Sequence, residues 1–265
     1  MRSTNNAPMV RMEHIGKVFN PGSVNEKTVF EDFSMDVERG DFVSVVGSNG
    51  SGKTTMLNIL CGSLPVDSGK VLVDGRDITH MKEHARAKFI GRVFQDPAKG
   101  TCANLTILEN FALADNKGKF FGLTKSINRK RIDDYRARIA TLHMGLEDRM
   151  DQTVGALSGG QRQALALIIS TMAPIDLLIL DEHTAALAPK SSETVMELTE
   201  RVVREKKLTT LMVTHNLRFA VEYGNRLVMM HQGSPVLALK GEEKQRTSTE
   251  HLVDKFAEIS IELGN

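Results

Sequence analysis

With 265 residues, 41% of them hydrophobic, the chain can build one sizeable α/β domain with a lesser subdomain, or two small domains. A formal net charge of +1 excludes a global pull toward nucleic acid or an anionic membrane, and two cysteines, Cys61 and Cys102, exclude a disulfide framework and point to a reduced compartment. Met1 to Pro8 is polar and no apolar run approaches the ~18 residues of a membrane span, so a soluble, cytosolic protein is expected, one that can still dock on something embedded.

In chain order, Met9 to Phe19 alternates as a strand, and Phe42 to Val46 is a short β-branched run suited to a buried strand. A glycine-rich turn follows, then a helix from about Lys53 to Cys61. Lys70 to Val73 with Asp74-Gly75 predicts a hairpin, and Ile90 to Phe94 another strand. From about Asp96 to Gly160 the strand signals stop. Leu105 to Ala114 and Ile132 to Met144 carry helical spacing, with Ile132, Tyr135, Ile139 and Leu142 on one face. Strands return at Leu177 to Leu180 and Thr209 to Val213, around an amphipathic helix through Val195, Leu198 and Val202. Arg226 to Met230 and Pro235 to Leu239 form a hairpin pattern around Gln232-Gly233. Thr247 with Glu250 reads as a capping box ahead of a last helix through Leu252, Phe256 and Ile259. The expected architecture is a mainly parallel α/β core, residues 1–94 and 161–265, interrupted by a helical insert at 95–160.

Gly47-Ser48-Asn49-Gly50-Ser51-Gly52-Lys53-Thr54, followed by Thr55, fits a P-loop between a strand and a helix. Its glycines let backbone N–H groups wrap a phosphate chain, Lys53 reaches the β- and γ-phosphates, and the Thr54 hydroxyl can ligate Mg²⁺. Leu177 to Leu180 ends in Asp181-Glu182. A P-loop fold is expected to place this strand beside the P-loop strand, with Asp181 holding Mg²⁺ and Glu182 polarising the attacking water. Gln95, after a strand, can bind Mg²⁺ or orient water, and His215 can donate to a γ-phosphate. A second anion site starts the helix after Leu157: Ser158, Gly159, Gly160 and Gln161 offer a hydroxyl and bare N–H groups at the positive end of the helix dipole.

In this order the pieces resemble the ATP-binding subunits of ABC transporters over roughly residues 9–240. Gly47 to Thr54 looks like the Walker A motif and Gln95 like the Q-loop glutamine. Leu157 to Gln161 is similar to the family signature, Leu177 to Glu182 to Walker B, and His215 to the switch histidine. Phe19 is placed like the aromatic that stacks on adenine. The resemblance implies a P-loop NTPase core of the ABC ATPase type, with an antiparallel β-subdomain and a helical signature subdomain. It implies ATP and Mg²⁺ as cofactors, and a head-to-tail homodimer in which Ser158 and Gly160 of one subunit close on the ATP held by the other's P-loop. It further implies a separate transmembrane permease, a solute-binding protein in the same system, no nucleic-acid partner, and a peripheral place on the cytoplasmic face of the membrane. The run from Asp181 to Leu187, with Leu123 to Ser158 upstream, most resembles bacterial importer ATPases paired with branched-chain-amino-acid-type permeases, which suggests an amino acid or similar small solute. An exporter ATPase, a soluble ABC ATPase, or a switch with weak turnover stay open beside it.

Two positions depart from the family pattern: His183 stands where proline is usual, and Ala188 where an interface aspartate is usual. The alanine suggests weakened interface coupling or a slower ATPase. Between Asn116 and Ile132, Lys117, Lys119, Lys125, Arg129, Lys130 and Arg131 run without an acidic residue, interleaved with Phe120, Phe121 and Leu123. A solvated loop, a face for permease or lipid headgroups, and a nucleic-acid surface all compete for that segment.

Overall fold

The computed structural model describes residues 7–118 and 127–262. Two sheets organise them. The first is antiparallel, in the order β2-β1-β4-β5, from β1 (Val10–Phe19), β2 (Lys27–Val37), β4 (Ser68–Val73) and β5 (Arg76–Asp77). The second, in the order β10-β9-β3-β8-β7-β6, is built from β3 (Phe42–Gly47), β6 (Ile90–Val93), β7 (Leu177–Asp181), β8 (Thr209–Val213), β9 (Arg226–His231) and β10 (Ser234–Lys240). Every pairing in it is parallel except β9 with the edge strand β10. The central strands β3 and β8 are buried at every position, which accounts for their unbroken apolar runs: helices or a second sheet cover both faces.

On one face lie α1 (Lys53–Cys61), α2 (Glu83–Arg86) and the antiparallel sheet. Their shared core runs from Met12, Ile15 and Phe33 to Leu57, Leu60 and Ile179. On the other face lie α3 (Ile107–Asp115), α4 (Ile132–Ala140), α5 (Gly159–Ser170) and α6 (Pro189–Lys206). These pack Phe111, Tyr135, Ile139 and Leu165 against Leu178, Leu180 and Met212. A smaller cluster joins α7 (Leu217–Glu222) and α9 (Thr249–Glu262) to β9, with α8 (Glu242–Gln245) before α9. Buried Lys244 of α8 donates to the carbonyls of Val221, Tyr223 and Gly224, fastening the C-terminal segment to the end of α7.

Two expectations need correction, and one strand was not foreseen. The strand that ends in Asp181 is not beside the P-loop strand: β8 lies between β7 and β3 and pairs with both. Glu182 still reaches the P-loop cleft because β3, β8 and β7 are parallel and end at the same edge. β2 has no counterpart in the sequence reading, because its pairing with β1 shifts register three times and the burial alternation breaks at Glu31-Asp32. The cap of α9 is Ser248, whose hydroxyl accepts from the His251 N–H at 3.2 Å; Thr247 instead donates to the Glu243 carbonyl.

The turn at Gln232-Gly233 forms the expected hairpin, both residues with positive φ. Gly233 cannot be replaced there: a Cβ would sit 1.9 Å from the Val29 carbonyl oxygen, because the turn is pressed onto β2 and donates its N–H to Ser51. The hairpin thus backs the P-loop.

Candidate active site

The site begins where β3 stops. Gly52 caps α1 with φ 101° and no side-chain hydrogen bond, so the first N–H groups of the helix are left bare. A Cβ on Gly52 would come within 2.7 Å of the Phe30 ring. The Lys53 ammonium, almost enclosed, donates to the carbonyls of Gly47 and Ser48 at 2.8 and 2.9 Å. Burial lowers the pKa of Lys53, while the Glu182 carboxylate opposes that shift. The Ser51 hydroxyl is buried without a partner. Bare N–H groups, a cation and an orphan hydroxyl around a glycine turn form a cradle for a phosphate chain. The cleft measures about 300 Å³ and is lined by Phe19, Lys27, Val29, residues 49–55, Glu182 and His215.

Glu182 and His215 reach this cleft from adjacent strand ends. The Glu182 N–H donates to Val213, the last residue of β8, and the Thr214 N–H donates to Val45 of β3. These two bonds lock the ends of β7, β8 and β3 together. Glu182 sits in the left-handed region at φ 48°, a conformation that turns its side chain out of the strand and is held against local strain. Its Oε1 lies 2.9 Å from His215 Nε2. A carboxylate held by an imidazole, facing a phosphate cradle, is equipped to take a proton from water.

Asp181 is enclosed beside it and bound by the Arg92 guanidinium at 2.6 Å; the same Arg92 nitrogen reaches Asn58 of α1, and Arg92 lies over the Phe94 ring. Sequence reasoning missed Arg92, whose partner is 89 positions away. Gln95 is exposed in the bend after β6 and does not line the cleft. Phe19 does line it, half-buried, with the Lys17 ammonium 5.7 Å from the ring centroid.

The other anion-seeking segment stands apart from this cleft. Ser158 caps α5: its hydroxyl accepts from the Gln161 N–H at 3.3 Å and the Gln161 side-chain oxygen Oε1 accepts from the Ser158 N–H at 3.1 Å. Ser158 is exposed, whereas Gly160 is buried against Ser191 at the start of α6. From α5, Gln163 donates to the Phe94 carbonyl at 2.8 Å, joining the segment to the chain just before Gln95.

His183 takes no part in the cleft. It is 2% exposed, packed beneath α6, with Nε2 3.2 Å from Thr199 Oγ1. Thr199 donates to Val195, so its oxygen accepts from a neutral imidazole bearing the proton on Nε2. Burial pushes the His183 pKa down to about 4. Between pH 6.5 and 4 the unfolded chain therefore takes up a proton that the folded chain refuses, and stability falls with acidification. The expected loss attributable to His183 is about 2 kcal/mol between pH 7 and 5. Urea unfolding of the wild type and His183→Leu across this range checks it: the wild type should lose about 2 kcal/mol relative to the variant between pH 7 and 5, and a pH-independent difference would contradict the assignment.

Ala188 caps α6 with extended backbone and no side-chain bond, ahead of Pro189. Ala188→Asp is expected to raise stability by about 1 kcal/mol by capping bare N–H groups, and to speed ATP turnover. Unchanged turnover and cooperativity, with the stability gain present, would leave the aspartate as a cap alone.

Of the basic run, Arg131 is taken up internally. It binds Asp115 and Asp134 at 2.6 and 2.8 Å and lies over Tyr135, whose hydroxyl donates to Asp115, so it joins α3 to α4. Lys119, Phe120, Phe121, Leu123 and Lys125 lie outside the described residues.

A family model described as ABC transporter matches residues 30–185, and the chain belongs to that family. It is the ATP-binding and ATP-hydrolysing subunit of an ABC transporter. A tyrosine transport ATP-binding protein of Clostridioides difficile (strain R20291) is 45% identical over 248 residues, covering 94% of this chain and 98% of that protein. The thiamine import ATP-binding protein of Escherichia coli (strain K12) is 31% identical over 201 residues, 76% of this chain and 82% of that one. Among solved structures, an ABC transporter cassette in its ADP conformation superposes with a TM-score of 0.78 at 24% identity, over 97% of this chain and 99% of that one, and supports the fold. A dimeric cassette in a post-hydrolysis state with ADP and Pi superposes with a TM-score of 0.74 at 26% identity, over 88% and 98%. Among the described residues, no helix is long and apolar enough to cross a membrane.

Proposed function

We propose that two copies of this chain close head to tail on two ATP molecules, and that hydrolysis reopens them to drive a separate permease importing an amino acid or similar small solute. The carrying observation is the Glu182–His215 pair at 2.9 Å, in one cleft with Lys53 and Thr54. In this reading Gly47 to Thr54 hold the phosphates and Phe19 stacks on the adenine. Glu182 takes a proton from water as its oxygen attacks the γ-phosphorus, the bond to the β-phosphate oxygen breaks, and ADP and phosphate leave. His215 holds Glu182 in the free site and, with ATP bound, turns the same Nε2–H to the γ-phosphate. Thr54, which lines the cleft, would hold Mg²⁺ through its hydroxyl, joined by Asp181 on release from Arg92 and by Gln95 on movement of its bend toward the cleft; bound there, Mg²⁺ would neutralise charge on the phosphates.

The exposed Ser158 start of α5, outside its own chain's cleft, supports a site completed by a second copy. The dimeric cassette relative supports the same assembly. An apolar groove of about 530 Å³ between β6, α3 and α5, lined by Phe94, Leu113 and Ile169 with Lys117, is a suitable seat for a permease segment. That seat would hold the chain on the cytoplasmic face of the membrane, with a solute-binding protein serving the permease. The 45% identical tyrosine transport relative supports amino-acid import. Uptake of labelled tyrosine by cells lacking this chain tests the reading: wild type restores uptake and Glu182→Gln does not. Uptake that is undiminished without the chain would overturn it.

A further inference from the structure

Lys27 stands in the cleft without a role. It pairs directly with Phe19 in the β1–β2 register, so the two side chains leave the ribbon on one face. Two residues on, Val29, the extra residue where β2 slips against β1, also lines the cleft. The Lys27 ammonium lies 3.7 Å from the point where a Cβ would stand on Gly50, over the middle of the P-loop. It is free of hydrogen bonds and ion pairs within the described residues. Neighbouring Glu26 does not neutralise it, because that carboxylate is turned into its own loop, accepting the Gly22 N–H at 2.6 Å. Glu182 is held by His215. The cleft therefore has two lysines: Lys53 beneath the loop, bound to carbonyls, and Lys27 above it, unpaired, between the Phe19 ring and the glycine turn.

We propose that Lys27 is a second phosphate-binding lysine, contacting the phosphate chain of the nucleotide between the base platform and the P-loop. This rests on the nucleotide-site reading and adds to it a residue that no motif contains. A flexible ammonium at the rim supplies a charge-assisted bond and steers the anion. The test is titration with the fluorescent analogue mant-ADP and Mg²⁺, for wild type, Lys27→Met and Lys27→Arg, at two salt concentrations. Lys27→Met is expected to weaken binding about five- to twentyfold and to flatten its salt dependence, with Lys27→Arg within about twofold of wild type. Lys27→Met binding as wild type does, or Lys27→Arg losing as much as Lys27→Met, would overturn the proposal and leave the nucleotide site intact. A wild type that fails to bind mant-ADP would overturn the nucleotide-site reading with it. Equal melting temperatures establish that the variants are folded, as the exposed position of Lys27 leads one to expect.

Discussion

Glu182→Gln is expected to lower ATP turnover by about three orders of magnitude while leaving nucleotide binding intact. The amide has the shape of the carboxylate and its oxygen can still accept from His215 Nε2, now 2.9 Å from Glu182 Oε1. The φ of 48° is no harder for glutamine than for glutamate, and the backbone bond to Val213 does not involve the side chain. What is lost is the ability to take a proton from water. Removing a negative charge beside the cradle should also favour ATP slightly. Phosphate release under single-turnover conditions, beside equilibrium binding of ATP, separates the two effects. Turnover retained within about tenfold would move the base elsewhere.

Lys53→Met is expected to weaken ATP and ADP binding by about a hundredfold or more, from the loss of the enclosed ammonium that would make charge-assisted bonds to the phosphates. Lys53 is 5% exposed and aims its ammonium across the loop at the Gly47 and Ser48 carbonyls, from which it could turn to a phosphate chain. Methionine fills the channel with no donor, so the two carbonyls lose their partner and the cradle loses its inner cation. Isothermal titration with ADP and Mg²⁺ checks the loss. Binding within about threefold of wild type would mean that backbone N–H groups alone hold the phosphates.

The parts of this molecule that were legible in the sequence are those written in consecutive residues. Strand β3, the glycine loop and α1 follow one another from Phe42 to Cys61 with one apolar run and one helical face, and the structure places them at those positions. Asp181-Glu182 and His215 were legible as strand ends, since the apolar runs before them stop there. The order of strands was not: which neighbour a fully buried parallel strand takes depends on packing across both faces, and β8 displaced β7 from the side of β3. Lys27 and Arg92 escaped notice for a related reason. Each acquires its meaning from a residue far along the chain, Gly50 for one and Asp181 for the other, and β2 hides its alternation behind bulges. His183, which the sequence shows only as a histidine where proline is usual, is a buried wedge beneath α6, a place that burial alone reveals.

The central claim is that the site is split, with one chain's cradle completed by another chain's Ser158. Sedimentation velocity of Glu182→Gln with and without MgATP tests it most directly, repeated with Ser158→Arg added. Glu182→Gln should move from monomer to dimer on adding MgATP, and the double variant should bind MgATP yet stay monomeric. A Glu182→Gln protein that binds MgATP without dimerising, or a double variant that dimerises equally well, would contradict the account.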